Sequence, residues 1–181
     1  MSRTVLFTGF PGFLGSALLP RTLRRSPDAA AVALVQERWL DQARRTLERL
    51  ETAEPEIAGR TRLVVGDITR PDLGLDAAEA DALRAGPLEI FHLAAVYDLS
   101  VPADLAWSVN VDGTRHVVDL ARSAGELVRL QYVSTATSPG ATTGSSPRTT
   151  SSSGRRSPTT TSTPSTRPSA SSPRRARPVC R

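Results

Sequence analysis

The sequence predicts an α/β fold, a doubly wound parallel sheet, and three observations carry that expectation. Apolar runs of strand length alternate with helix-patterned stretches from residue 4 to about residue 133, which implies parallel pairing through right-handed crossovers. The first strand-to-helix junction reads Thr8-Gly-Phe-Pro-Gly-Phe-Leu-Gly15, three glycines spaced three apart. The composition then changes after Ala136, where residues 137–181 are Ser, Thr, Pro, Arg, Gly and Ala apart from Val179 and Cys180.

The first strand is expected over residues 4–7 and the first helix over 13–25. Between them Gly9 permits a tight turn, Gly12 lets a ligand approach the backbone with no Cβ in the way, and Gly15 allows the helix to press on the strand. A pyrophosphate would then sit beside Thr8, against the free amides of Phe13 and Leu14 at the positive helix end. A second buried strand is expected over residues 32–35. A helix over 37–50 follows, with Leu40, Ala43, Leu47 and Leu50 on one face. Residues 62–65 read as a third strand ending at Gly66-Asp67, residues 71–75 as a loop and residues 77–84 as a short helix. A fourth strand covers 89–93. Residues 103–124 form one long helical pattern with Leu105, Val109, Val117, Leu120 and Ala121 inward, closed by Gly125. The fifth strand covers 127–133. Ligands of such sheets bind at the carboxyl ends of the strands, where Gly9, Asp67, Ala94-Ala95 and Ser134-Thr135 fall.

Two units follow from composition: residues 1–136 as the nucleotide-binding part, and 137–181 as a tail with too little apolar surface to offset its ordering entropy, hence disordered. The net charge is +5, yet eight Arg and no acid lie in the tail, which leaves fifteen Arg against eighteen acids before it, a net −3. The folded part therefore has no electrostatic case for nucleic acid. All 23 basic residues are Arg. Without Lys the chain is no phosphate-loop NTPase and performs no lysine chemistry. Cys180 is the only cysteine, so no disulfide framework or thiolate metal site is expected, and a reducing, cytoplasmic setting fits. Residues 3–19 have a charge followed by apolar residues, as a secretory leader does, but their glycines match a nucleotide turn better. No stretch reaches the length of a membrane span. His92 and His116 lack any His/Cys/carboxylate spacing and are expected to be structural, with no metal.

Five motifs in order, Thr8-Gly-x-x-Gly-x-x-Gly15, Gly66-Asp67-Ile68, His92-Leu-Ala-Ala95, Asn110-Val-Asp-Gly-Thr114 and Tyr132-Val-Ser-Thr-Ala136, resemble the extended short-chain dehydrogenase/reductase family across residues 4–136. The stretch Gly66 to Leu75 looks most like its fatty acyl-CoA reductase and thioester-reductase branch; sugar-nucleotide epimerases and dehydratases share most of the motifs. The resemblance implies that Asp67 accepts from the adenine amino group and Ile68 packs on that ring. Ala94 and Ala95 would leave room for the ribose and nicotinamide, and Asn110 would hold nearby backbone or a water. It implies a small or carrier-bound acyl thioester as substrate. Cofactor choice turns on the end of the second strand, where an acid would bind the ribose 2′-OH of NAD; Gln36, with Arg38 close by, leans towards NADP, with NAD as the alternative. Neither substrate identity nor oligomeric state is written in these residues.

Reduction in that family further implies a tyrosine proton donor, a lysine four residues later and a Ser or Thr on the substrate oxygen. Thr135 matches the last, with Ser134 beside it. No Tyr follows Tyr132, and there is no Lys, so the chain as written is expected to bind cofactor without turnover; the alternatives are a sugar-nucleotide epimerase- or dehydratase-like fragment, or a non-catalytic nucleotide-binding module with a basic tail. A change of reading frame after Ala136 accounts for tail and loss together. Thr137-Ser-Pro-Gly140 can be encoded by the bases of Tyr-Val-Ala-Gly read one nucleotide late, and residues 161–170 by those of Tyr-Glu-His-Thr-Lys-Tyr-Ala-Ala-Glu-Arg, which restores a Tyr-x-x-x-Lys pair.

Overall fold

Five parallel strands stand in the order β3-β2-β1-β4-β5 in a computed structural model that describes residues 3–98 and 100–134. They are β1 (Thr4–Thr8), β2 (Ala30–Val35), β3 (Thr61–Val65), β4 (Pro87–His92) and β5 (Glu126–Tyr132). The helices are α1 (Phe13–Arg25), α2 (Leu40–Ala53), α3 (Ala77–Arg84), α4 (Ala103–Trp107) and α5 (Gly113–Ser123). The first strand pairs with both β2 and β4, Phe7 lying opposite Ala33 on one side and Phe91 on the other. Chain order reverses at this point, so a crevice opens beyond the carboxyl ends of β1 and β4.

Alternate residues of each strand feed two cores. Val5, Phe7, Ala31, Ala33 and Val35 pack with Leu19, Leu23 and Ala43 of α1 and α2. Leu6, Val32, Leu34, Leu88 and Ile90 pack with Leu83, Val117 and Leu120 of α3 and α5. Because both faces of β1, β2 and β4 are covered, β1 and β2 read as apolar runs rather than as alternation, and β4 buries Glu89 and His92 among its apolar residues. The Phe7 and Phe91 rings stack across the strand pair at 4.8 Å. On an outer edge, β5 keeps Leu127, Val128 and Tyr132 exposed. Among the described residues no helix is long and apolar enough to cross a membrane.

The structure departs from the sequence expectation in three places. The helix expected over 37–50 opens as a 3-10 turn at Glu37–Trp39 before α2 begins. The loop expected over 71–75 winds into a 3-10 turn at Pro71–Gly74, with Asp72 and Leu73 at φ 49° and 58°. The helix expected over 103–124 is interrupted by a π-helical turn at Ser108–Asp112. A wider turn advances the helix phase by about one residue, roughly 100°. One apolar face therefore cannot run through both halves: Val117, Leu120 and Ala121 are buried as expected, but Leu105 is exposed. Gly125 follows the C-cap Ala124 of α5 at the expected place, without the left-handed φ of a glycine cap.

Leu73 is fully buried despite its left-handed backbone, and its carbonyl accepts from the Asp67 amide at 2.7 Å. It anchors the segment that shapes the end of β3. Leu73→Ala is expected to cost about 3 kcal/mol through the cavity it leaves, read as a lower urea midpoint at unchanged slope.

Candidate functional site

Three glycines converge on one carbonyl. Gly9 lies at φ 86°, and its carbonyl accepts from the Gly12 amide at 2.9 Å. A Cβ at Gly12 or at Gly15 would each stand 2.7 Å from that same oxygen, and one at Gly9 would stand 2.7 Å from the Ala94 nitrogen. The turn is thus wedged between the head of α1 and the loop after β4. The expected role of Gly15, close packing of the helix, holds, with the turn rather than the strand as its contact. At Gly12 the missing Cβ serves the turn itself.

The head of α1 has no side-chain cap, and the Ser16 amide, bonded to the Gly12 carbonyl at 2.9 Å, begins the helical ladder. The amides of the first turn therefore face the crevice end without an acceptor in the ladder. Phe13 is exposed and Leu14 partly so. Ser16 Oγ turns back to the Pro11 carbonyl at 3.0 Å, stiffening the turn from below. An uncapped positive helix end beside a turn whose Gly9 and Gly12 carry no side chain is suited to a diphosphate.

Beside it, at the end of β2, Gln36 Nε2 donates to Asp67 Oδ2 at 2.9 Å and Gln36 Oε1 accepts from Arg38 Nε at 3.0 Å. The Arg38 guanidinium lies 5.5 Å from the Trp39 ring centroid, a cation–π distance. The other Asp67 oxygen accepts from the Thr69 amide and hydroxyl at 2.9 and 2.8 Å.

Between β1 and β4 the polar groups are internal. Thr8 and His92 are 1% exposed. Thr8 Oγ1 lies 2.7 Å from His92 Nδ1 and accepts from the Leu93 and Ala94 amides at 3.2 Å each. His92 Nε2 lies 3.1 Å from Thr114 Oγ1, whose hydroxyl donates to the Asn110 carbonyl at 2.7 Å. The Asn110 side chain clamps Val96 on both sides, accepting from its amide at 2.9 Å and donating to its carbonyl at 2.7 Å. Burial pushes the His92 pKa down to about 4, and the Tyr132 ring stacks on it at 5.4 Å. In the loop beyond, the Ser100 hydroxyl and amide hold the Asp98 carboxyl below its ordinary pKa. No group of three or more metal-ligating side chains occurs among the described residues.

The family model described as Male sterility protein, an NAD-binding domain, matches residues 7–173. The chain belongs to this family. It is 36% identical over 137 residues to a linear gramicidin synthase of Brevibacillus parabrevis, covering 74% of this chain and 3% of that protein. To fatty acyl-CoA reductase 1 of Xenopus laevis it is 28% identical over 144 residues, covering 74% of this chain and 28% of that one. Among solved structures it resembles the terminal R domain from the myxalamid PKS-NRPS biosynthetic pathway, with a TM-score of 0.61 and 34% identity over 74% of this chain and 34% of that one. The reductase domain of a nonribosomal peptide synthetase from Mycobacterium tuberculosis gives 0.59 and 32%, over 75% and 34%. The chain thus spans about a third or less of these relatives.

The glycines, Phe13, Leu14 and the Ala94-Ala95 loop meet at the crevice, Ala94 half-buried and Ala95 exposed. Arg38 and Asp67 sit at its β2–β3 side. Thr8 is committed inward and holds the loop after β4. Ile68 is buried, and a Cβ at Gly113 would stand 2.8 Å from its Cδ1, so most of that side chain packs on α5. Asn110 lies in the π-helical turn, where its amide holds backbone, as the resemblance implies. Ser134 is exposed, and Thr135 lies outside the described residues, as does the tail expected over 137–181. The site residues that sequence reasoning missed are Thr114, one helical turn beyond Asn110, and the Gln36 bridge to Asp67. Thr114 closes the Asn110 motif, and its helical spacing from Asn110 was the available signal.

Proposed function

We propose that this chain binds a nicotinamide dinucleotide, NADPH in preference to NADH, and that its parent reaction is reduction of an acyl thioester or derived carbonyl. The observation that carries the reading is the uncapped head of α1 over the Gly9–Gly12–Gly15 turn at the sheet's reversal point. The first-turn amides, with Phe13 and Leu14 outermost, would hold the diphosphate. Asp67, Ala94 and Ala95 would border the adenine and nicotinamide halves of the cleft, while Asn110 keeps its wall in place. When bound, the cofactor supplies a hydride from the 4-position of its ring. Thr135, or Ser134 beside it, would orient the substrate oxygen. The names of the relatives, a gramicidin synthase and fatty acyl-CoA reductases, support a thioester substrate, free or carried. A cytoplasmic setting fits a chain whose single cysteine is Cys180.

The lean to NADPH rests on Arg38, oriented by Gln36 and Trp39 where a 2′-phosphate would lie. Arg38→Ala is expected to weaken NADPH binding by about 10- to 100-fold, the loss of one charge-assisted contact, with NADH unchanged. Calorimetric titration of both cofactors decides it; an equal effect on the two would remove Arg38 from the 2′-phosphate.

Turnover is a separate matter. A tyrosine and lysine that work as a unit with the hydroxyl are absent after Tyr132, so the chain as written should bind cofactor and show no oxidation of NADPH with an acyl-CoA. The reading-frame hypothesis for residues 137–181 is tested by the nucleotides around codon 137: a downstream alternative frame without the Tyr and Lys codons would dismiss it.

A further inference from the structure

The direction of every hydrogen bond around His92 can be assigned from chemistry alone. The Asn110 carbonyl only accepts, so the single proton of the Thr114 hydroxyl is spent on it. Thr114 Oγ1 must then accept from His92, which puts the imidazole proton on Nε2. The Nδ1 lone pair is left to accept from Thr8, whose oxygen in turn receives the Leu93 and Ala94 amides. One ordered chain therefore runs from the residue preceding Gly9, through β4, to the π-helical turn and back to the strand-end loop at Val96. Each hydroxyl in it donates once, and the imidazole donates once and accepts once.

We propose that His92 is a positioning residue: held in its Nε2–H form between Thr8 and Thr114, it locks Asn110 onto Val96 and so fixes the 93–96 backbone as one wall of the dinucleotide cleft. It touches neither cofactor nor substrate. This assignment of a cleft rests on the dinucleotide reading above; the lock itself does not. The π-helical turn belongs to the same device, because it places Asn110 where the carbonyl of that residue meets Thr114 while its amide meets Val96. A fully buried imidazole with both nitrogens engaged is rigid in orientation, which is what a wall one strand away from the glycine turn requires.

The experiment is a pair of measurements on the full chain. Nitrogen-detected NMR at neutral pH reads the tautomer, a His116→Gln chain assigning the second of the two rings; the expected result is Nε2–H, and Nδ1–H would overturn the proposal. Amide exchange and NADPH titration are then compared for wild type, Thr114→Val and Thr114→Ser. Valine should accelerate exchange at Leu93, Ala94 and Val96 by tenfold or more relative to Leu6 and Ile90, and weaken NADPH binding by about tenfold. Serine, which keeps the hydroxyl, should restore both. Uniform acceleration across the sheet, or wild-type affinity in Thr114→Val, would reduce Thr114 and His92 to general packing and sink the idea. Should wild type bind no dinucleotide, the function proposed above falls, and the tautomer and local exchange still decide the lock. The tautomer is read on the unaltered chain, so it stands even if the valine variant does not fold.

Discussion

Gly12→Ala is expected to raise the dissociation constant for NADPH by at least about 100-fold, close to 2.7 kcal/mol of binding free energy. The added carbon would stand 2.7 Å from the Gly9 carbonyl oxygen, and that oxygen is backbone in a turn already held by the Gly12 amide at 2.9 Å. No flexible side chain can yield. Relief comes only by opening the turn, which breaks that hydrogen bond and moves the head of α1 away from the position where its amides meet an anion. Gly86→Ala supplies the control, since nothing lies within 4 Å of its added carbon and its backbone is not left-handed. Calorimetry on both variants, with circular dichroism to confirm folding, separates a local lesion from a global one. If folded Gly12→Ala binds within threefold of wild type, the diphosphate does not sit on this turn.

Acid should destabilise the chain through His92. Its pKa is about 4 when folded, against an ordinary 6.5, because burial penalises the imidazolium. Between these values the unfolded chain binds the extra proton, so stability rises with pH across this window. It is fully present above about pH 6.5 and is lost progressively as pH falls towards 4. The contribution amounts to about 2 kcal/mol between pH 7 and pH 5. For a domain of ordinary marginal stability that is a large share. Urea midpoints at pH 7, 6 and 5 should fall for wild type, and the difference between wild type and His92→Gln should shrink over the same interval. A difference independent of pH would mean that the imidazole is not buried as the neutral form.

The same two residues mark how far a sequence can be read. Gly12 was legible because a strand–turn–helix junction with three spaced glycines has few other uses, and its local geometry is set by neighbours in the chain. His92 was legible only as a buried structural residue. Its partners Thr8 and Thr114 lie 84 and 22 positions away, and no local pattern states that two hydroxyls meet one ring. Leu105 shows the converse error: its spacing from Val109 suggested a single inward face, and the π-helical turn between α4 and α5 moved it to solvent. Asp67 stood at the right strand end, yet the Gln36 amide that orients it comes from the neighbouring strand.

What the sequence determined by itself was therefore whatever depends on short-range periodicity and backbone freedom: the order of strands and helices along the chain, the burial of β2, and the glycine turn. The tertiary structure decided the direction of the hydrogen bonds between β1, β4 and α5, the inward commitment of Thr8 and Ile68, and the phase of the helix carrying Asn110. The reason is physical. Propensity and hydrophobic pattern act between residues a few positions apart, whereas a buried polar group takes whatever donor or acceptor the packing brings to it.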